Sequence, residues 1–432
     1  MKARELTVQR QWDSLEPGSR FKSADNLEIE IISTGLWNHE AGPDFRDARI
    51  RIDNHVVTGD VEIHSRASDW FRHGHEPNPA YFNVILHVAE IDDLTGAQRE
   101  QLPPLMLLTD SKKNDSAEKR TRSGKCRAIL TGKSFEELSA LLEDAGMARF
   151  REKSDIFVRQ ALLDGIEKCT LRAMFEAVGY KNNRENFIEL FERYLEYDPH
   201  IREADYEAIL WGESGLLPDP AVNPPVEELL KFESACWDRW WSIRLKARPE
   251  IQWRRDGLRP FNTPERRVAA AVMLIRRFGE HPLRYFVNLS MKVGSYKVFI
   301  EEMLAALALH DEIWDYWINF HKPKKSAAAI LGRSRALELA VNVILPAMYA
   351  FGRLEKRKGV ADFALAAWKE LPAMQDNTVL RTVAAKWFGD GEPAAVLKKS
   401  AAAGQGAIQL YREFCRKCAG DCAGCRLLDS LH

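Results

Sequence analysis

The spacing of apolar residues changes character near residue 130, and that change restricts the possible folds more than any other feature. Before it, apolar and polar residues alternate in short runs: LEIEIIST (27–34), ARIRID (48–53), VVTGDVEIHS (56–65) and YFNVILHVAEI (81–91). A period of two puts successive side chains on opposite faces, so each run predicts a β-strand. PPLMLLT (103–109) predicts a shorter strand. Residues 4–13 and SDWFRHG (68–74) predict short helices, the latter capped by Ser68. From residue 131 the period becomes helical, as in RENFIELFERYLEY and VFIEEMLAALALHDEIWDYWINF. Thr263 ahead of Pro264 and Glu265 marks one helix start. The expected architecture is α+β. An α-β-β-β-α-β module spans 1–130, an all-helical region spans 131–410, and a cysteine-rich end spans 411–432. Residues 110–127 are polar and basic without a period, and read as a linker.

Bulk composition removes several classes. The chain is 432 residues, 45% hydrophobic and 29% charged, which suits two or three globular domains. No uninterrupted apolar run approaches 18 residues, so no membrane span is expected, and the first residues lack a signal-peptide pattern. The reading is a cytoplasmic protein with no membrane partner and an oligomeric state the sequence leaves open. A net charge of −1 gives no whole-molecule pull toward polyanions, so any nucleic-acid contact must come from a local patch.

Chemistry-bearing residues gather early. Six of the eleven histidines lie between His39 and His87. In VVTGDVEIHS, Asp60, Glu62 and His64 fall on one strand face, and Val61 and Ile63 on the other. Asp44 follows Gly42-Pro43, a turn that fixes how it enters the second strand. Antiparallel pairing of 48–53 with 57–65 brings Asp44 toward Glu62 and His64. Asp53-Asn54 suits the connecting hairpin turn. Two acids and a histidine facing a cleft can hold a divalent cation. His73 and His75 form a His-x-His pair that suits either a metal contact or an exposed turn. His87 reads as a satisfied, partly buried strand residue, His39 as a cleft neighbour, His55 as solvated, and Trp70 as packed on the sheet.

Pro43-Asp44 and Glu62-Ile63-His64, in that strand order, resemble the PD-(D/E)xK nuclease superfamily. The resemblance implies a restriction-endonuclease-like fold and a metal-dependent nuclease acting on DNA or another nucleic acid. It implies Asp44, Glu62 and the Ile63 carbonyl as ligands of Mg²⁺ or Mn²⁺, with Glu5 as an accessory acid. His64 stands where that superfamily has lysine. Two alternatives stay open: a non-catalytic nucleic-acid- or protein-binding chain on the same fold, and a hydrolase of another class with a transition metal on His64, His73 or His75. More closely, NHEAGPDFRDARIRI, GDVEIHSRASDWFRHGHEPNPAYFNVILHV, GYKNN (179–183), RPFNTPERR (259–267) and NVILPAMYAFG (342–352) look like an uncharacterised bacterial family, catalogued as a domain of unknown function.

Two further features lie in the second part. WDRWWSIRLKARPEIQWRRDGLRPFN (237–262) interleaves tryptophans with Arg239, Arg244, Arg254, Arg255 and Arg259. Arginine meets phosphate and aromatics stack bases, so this is the candidate nucleic-acid contact. Tryptophans at helical spacing more commonly build a core, and that is the favoured reading. Cys415, Cys418, Cys422 and Cys425 form C-x2-C-x3-C-x2-C, a thiolate set for a [4Fe–4S] cluster or Zn²⁺.

Overall fold

The computed structural model describes residues 2–15, 17–38, 42–73, 75, 78–108, 126–180, 182–222, 226–255, 261–389, 392–416 and 425–427. The chain forms two compact units. One comprises Met1–Gly146, Asp376–Lys399 and Ala403–His432; the other comprises Met147–Gln375 and Ser400–Ala402. These divisions differ from the sequence boundaries at 130 and 410. The helices from Asp376 onward, which the sequence places in the all-helical region, belong mostly to the first unit.

The first unit begins with α1 (Lys2–Asp13), followed by β1 (Arg20–Lys22), β2 (Glu28–Ser33), β3 (Leu36–Trp37), β4 (Phe45–Ile52) and β5 (His55–Arg66). Then come α2 (Asp69–Arg72), β6 (Val84–Ile91), α3 (Gly96–Arg99) and β7 (Leu105–Leu107). The sheet order is β1-β2-β4-β5-β6-β7, with β3 on the side of β4. β2, β4 and β5 pair antiparallel, whereas β5, β6 and β7 run parallel. The β4–β5 hairpin turns on Asp53-Asn54, with Asp53 at φ 50. A parallel pair cannot be joined by a tight turn, so the chain must cross from the end of β5 to the start of β6. That crossover, residues 67–83, holds α2, His73 and His75.

Alternation along β5 decides what each face does. Val61 and Ile63 are fully buried with Val8 and Trp12 of α1, Ile31, Phe45, Ile50, Leu86 and Val88. Val8 and Trp12 are four residues apart on one helix face, which seats α1 on the sheet. The Trp12 indole also donates to the Thr34 carbonyl at 3.0 Å. Elsewhere in this unit, α4 (Arg127–Thr131), the first half of α5 (Phe135–Asp164), α16 (Thr378–Trp387) and α17 (Ala401–Leu410) build a separate small core around Leu142, Val383, Trp387 and Ala407.

The second unit holds α6 (Ile166–Val178), α7 (Arg184–Leu195), α8 (Pro199–Glu213), α9 (Leu230–Ile243), α10 (Pro264–Phe278), α11 (Pro282–Val293) and α12 (Tyr296–Leu307). The short β8 (Trp317–Asn319) and β9 (Lys322–Pro323) follow, then α13 (Arg333–Leu339), α14 (Leu345–Leu354) and α15 (Lys358–Lys369). Arg333–Leu354 is long and apolar enough to cross a membrane by composition, but 67% of its apolar window is buried inside the protein, as befits a core helix.

Candidate metal centre

β4 and β5 bring together the two acids. The Asp44 backbone N–H donates to Glu62 Oε2 at 3.0 Å, and the Ile63 N–H donates to Asp44 Oδ2 at 3.0 Å. Gln9 of α1 donates to Asp44 Oδ1 at 2.8 Å. Both Asp44 oxygens therefore have a donor, while Glu62 keeps Oε1 for other partners.

Those partners are imidazoles. Glu62 Oε1 lies 3.5 Å from His64 Nε2 and 3.2 Å from His75 Nε2, and the two nitrogens are 3.2 Å apart. On the other side of its ring, His64 Nδ1 meets His87 Nε2 at 2.9 Å. A ring nitrogen of His73 joins those of His64 and His75, all within 4.8 Å of one another. Glu62, His64 and His87 are buried, and His73 is exposed at the rim. Tyr81 stacks on His75 with ring centres 3.9 Å apart, and Trp70 packs on His75 and His87. Trp70 thus covers the sheet as the sequence suggests.

Burial favours the neutral forms of His64, His75 and His87 and of the two acids. Burial, followed by the neighbouring His87 and His75, drives the His64 pKa far down. Burial takes His75 down to about 4 and His87 down to about 3. Burial lifts Glu62 to about 8, opposed by the Asp44 N–H bond and helped by the Glu5 charge. Asp44 is raised well above its usual range by burial, then by Glu62, with Glu5 adding to it. Neutral imidazoles have a lone pair to give, and a protonated carboxylic acid yields its proton to a cation.

The arrangement fits a metal ion. At metal–nitrogen distances of 2.0–2.1 Å, tetrahedral ligands lie about 3.3 Å apart. The His64–His75–Glu62 triangle has sides of 3.2, 3.2 and 3.5 Å. A metal-binding imidazole commonly donates its other N–H to a fixed acceptor. With His64 Nε2 toward the triangle, its Nδ1–H points at His87 Nε2.

Other residues read from the sequence fall elsewhere. The charge of Glu5 on α1 adds to the raised pKa of both acids. Asp60 accepts from the Asp47 N–H at 3.2 Å, beside a β4 irregularity between Phe45 and Ala48, and is not among the residues meeting the histidines. His55 is exposed in the hairpin. His39 lies outside the described residues. Two participants escaped sequence reading. Gln9 sits in a helix with no pattern marking it. His87 is fully buried, where only part burial was expected, because the parallel register sets it opposite Glu62.

In the second unit, Trp237 packs against the core, but Trp241 is 47% exposed, so the core reading holds for the first and fails for the second. Trp237, Trp240 and Trp241 line a cleft of about 690 Å³. Arg244 lies over the Trp241 ring at 4.0 Å. Arg239 pairs with Asp205 and Arg255 with Glu265, which leaves these two little charge for a polyanion. Arg254 is exposed. Arg259, Cys418 and Cys422 lie outside the described residues. Cys415 and Cys425 pack beside the small core of the first unit.

No curated protein and no solved structure matches the chain. The pattern of a family described as "Protein of unknown function (DUF2851)" matches residues 9–377, which include Asp44, Glu62 and all the clustered histidines but neither Glu5 nor the C-terminal cysteines. With most of its length matched, the chain belongs to the DUF2851 family.

Proposed function

We propose that the first unit is a divalent-metal-dependent phosphodiesterase acting on nucleic acid, with Glu62, His64 and His75 as its metal ligands and His73 within reach as a fourth. The observation that carries this reading is the convergence of Glu62 Oε1, His64 Nε2 and His75 Nε2 at 3.2–3.5 Å. Two imidazoles and a carboxylate favour Zn²⁺, Mn²⁺ or Fe²⁺ over Mg²⁺, which prefers oxygen. The phosphodiester assignment draws on strand order. Along the chain come helix α1, the antiparallel β2, β4 and β5, then α2 and a β6 parallel to β5, with β1 and β3 as additional short strands, Asp44 ahead of β4 and Glu62 on β5; this order supports the resemblance on which the assignment rests. His64 does not replace a lysine charge, because it is held neutral. Its role in this reading is ligation.

Glu62, His64 and His75 would hold the cation, which would supply Lewis-acid polarisation of the scissile phosphate. The residues of the chain do the rest. Asp44 acts as a positioning residue, since its N–H orients Glu62 and its carboxyl group is anchored by Gln9 and Ile63. His87 holds the His64 ring, and Tyr81 and Trp70 shield the imidazoles from water.

The test is hydrolysis of bis(p-nitrophenyl) phosphate and of single- and double-stranded DNA by the full chain, with Mn²⁺, Zn²⁺ or Mg²⁺ added after chelation. The expected result is metal-dependent cleavage, reduced at least about 100-fold by Glu62→Gln or His75→Asn. Equal rates in wild type and both variants would refute it. Metal binding without cleavage of any of these substrates would refute the phosphodiesterase assignment and leave the metal centre standing.

A further inference from the structure

Helix α10 opens with Pro264-Glu265-Arg266-Arg267, and all three charged residues are buried. Buried charges need partners, and two of the three have them. Glu265 takes both arms of Arg255 at 2.8 and 3.2 Å. Arg266 spends its guanidinium on the carbonyls of Phe261, Trp317, Ala328 and Ala329 at 2.9–3.2 Å, and on that of Trp314.

Arg267 is different. It is 5% exposed, and only Nη2 has a partner, Asn262 Oδ1. Nε and Nη1 meet no acceptor among the described residues. No carboxylate pairs with it there either. Its guanidinium lies 4.0 Å from the centre of the Tyr180 ring, and the guanidinium of Arg335 lies 4.2 Å from the same ring. Arg335 is paired with Glu338, and its side chain is 28% exposed, so the group opens toward solvent on that side. Tyr180 holds φ 51, a left-handed conformation costly for a bulky residue. The guanidiniums of Arg267 and Arg335 thus share the Tyr180 ring, with Glu338 paired to the outer one. Burial above all takes the Arg267 pKa down to about 10, opposed by Tyr180 and Glu338 and helped by the Arg335 and Arg266 charges. A buried cation left with unused N–H groups among other cations is the arrangement an oxyanion relieves.

We infer that Arg267 and Arg335, arranged on Tyr180, form an oxyanion-binding site in the helical unit, taking a phosphate or carboxylate group. Arg267 supplies the buried donors at Nε and Nη1, and Arg335 supplies charge at the rim. Tyr180 and Arg267 come from GYKNN and RPFNTPERR, two segments to which the proposed metal centre gives no role. The inference does not depend on that centre.

The experiment measures thermal unfolding of the full chain against increasing sodium phosphate, sodium acetate and sodium chloride at matched ionic strength. Wild type, Arg267→Gln and Arg335→Gln are compared, with isothermal titration of inorganic phosphate alongside. The expected result is a saturable rise in melting temperature with phosphate or acetate that chloride does not reproduce. Arg267→Gln abolishes it, and Arg335→Gln weakens the apparent affinity about tenfold. Saturation by phosphate alone assigns a phosphoryl group, and saturation by acetate as well assigns a general oxyanion. If Arg267→Gln fails to fold, the Arg335→Gln shift carries the comparison. A wild-type response no larger than that of chloride, or the same response in wild type and Arg335→Gln, would overturn the inference.

Discussion

The N–H of Asp44 donates to Glu62 while the Asp44 carboxyl group accepts from Ile63, the residue after Glu62, so the two acids hold each other across the β4–β5 pair. Glu62 is buried and Asp44 half-buried beside it, and the loss of water around their carboxyl groups makes both harder to ionise. A cation is the natural relief for such a pair.

The first prediction concerns protons. Glu62 retains its proton up to about pH 8, whereas His75 loses its own above about pH 4. Between these values, metal binding displaces the Glu62 proton. Apparent affinity for Zn²⁺ or Mn²⁺ should therefore rise about tenfold per pH unit from pH 6 to 8 and level off above. Isothermal titration at pH 7 in two buffers of different ionisation enthalpy should find about one proton released per metal. Affinity independent of pH over this range would contradict the assignment of Glu62 as a ligand.

The second separates positioning from ligation at Asp44. Asp44→Asn keeps an acceptor for Ile63 or Gln9 and should retain the bound metal. Asp44→Ala removes the acceptor of the buried Ile63 N–H and of the half-buried Gln9 amide, at a cost of about 1–3 kcal/mol in stability. Urea unfolding and metal analysis of both variants check this. Complete loss of metal in Asp44→Asn would make Asp44 a ligand instead.

The third tests the strand that carries Glu62 and His64. A Cβ at Gly59 would stand 2.4 Å from Ile85 Cγ2 and 2.6 Å from the Asn83 carbonyl oxygen. The backbone atom cannot move aside cheaply, so Gly59→Ala should lower stability by about 1–3 kcal/mol. An unchanged urea midpoint would show that β5 and β6 are spaced differently from the arrangement described.

The fourth is a pH dependence in the helical unit. Glu233 on α9 is 1% exposed, neither oxygen has a hydrogen-bond partner among the described residues, and burial lifts its pKa from 4.5 to about 7. A raised acid favours folding while both states hold the proton, below pH 4.5, and that advantage drains away as pH rises to 7. Glu233→Gln removes the ionisation. Relative to wild type, the variant should gain about 1–3 kcal/mol between pH 4.5 and 8. Parallel curves for the two proteins across that window would contradict the placement of Glu233.

Much of the N-terminal sheet was readable because strand alternation is a local signal. VVTGDVEIHS announces both the strand and the shared face of Glu62 and His64, and Gly42-Pro43 announces how Asp44 enters β4. The histidine cluster was less readable because it depends on pairing direction. Nothing near His75 states that β6 runs parallel to β5, yet that choice sends residues 67–83 back over the sheet and sets His75 beside His64. His87 follows the same logic, since its burial comes from the register Glu62↔His87 and not from its own neighbours. The short β1 and β3 were missed because two or three residues carry no period. In the C-terminal part only the helical class of the region was legible, and helical class does not say which core a helix joins. That is why α16 fell to the helical region in the sequence reading.

Metal content by mass spectrometry tests the central claim most directly, measured on the full chain and on His64→Ala/His75→Ala, each also in a background with Cys415, Cys418, Cys422 and Cys425 all replaced by Ser to remove the C-terminal thiolates. The account predicts close to one equivalent of a transition metal in the cysteine variant, lost when His64 and His75 are replaced. The same metal content with and without His64 and His75 would contradict it.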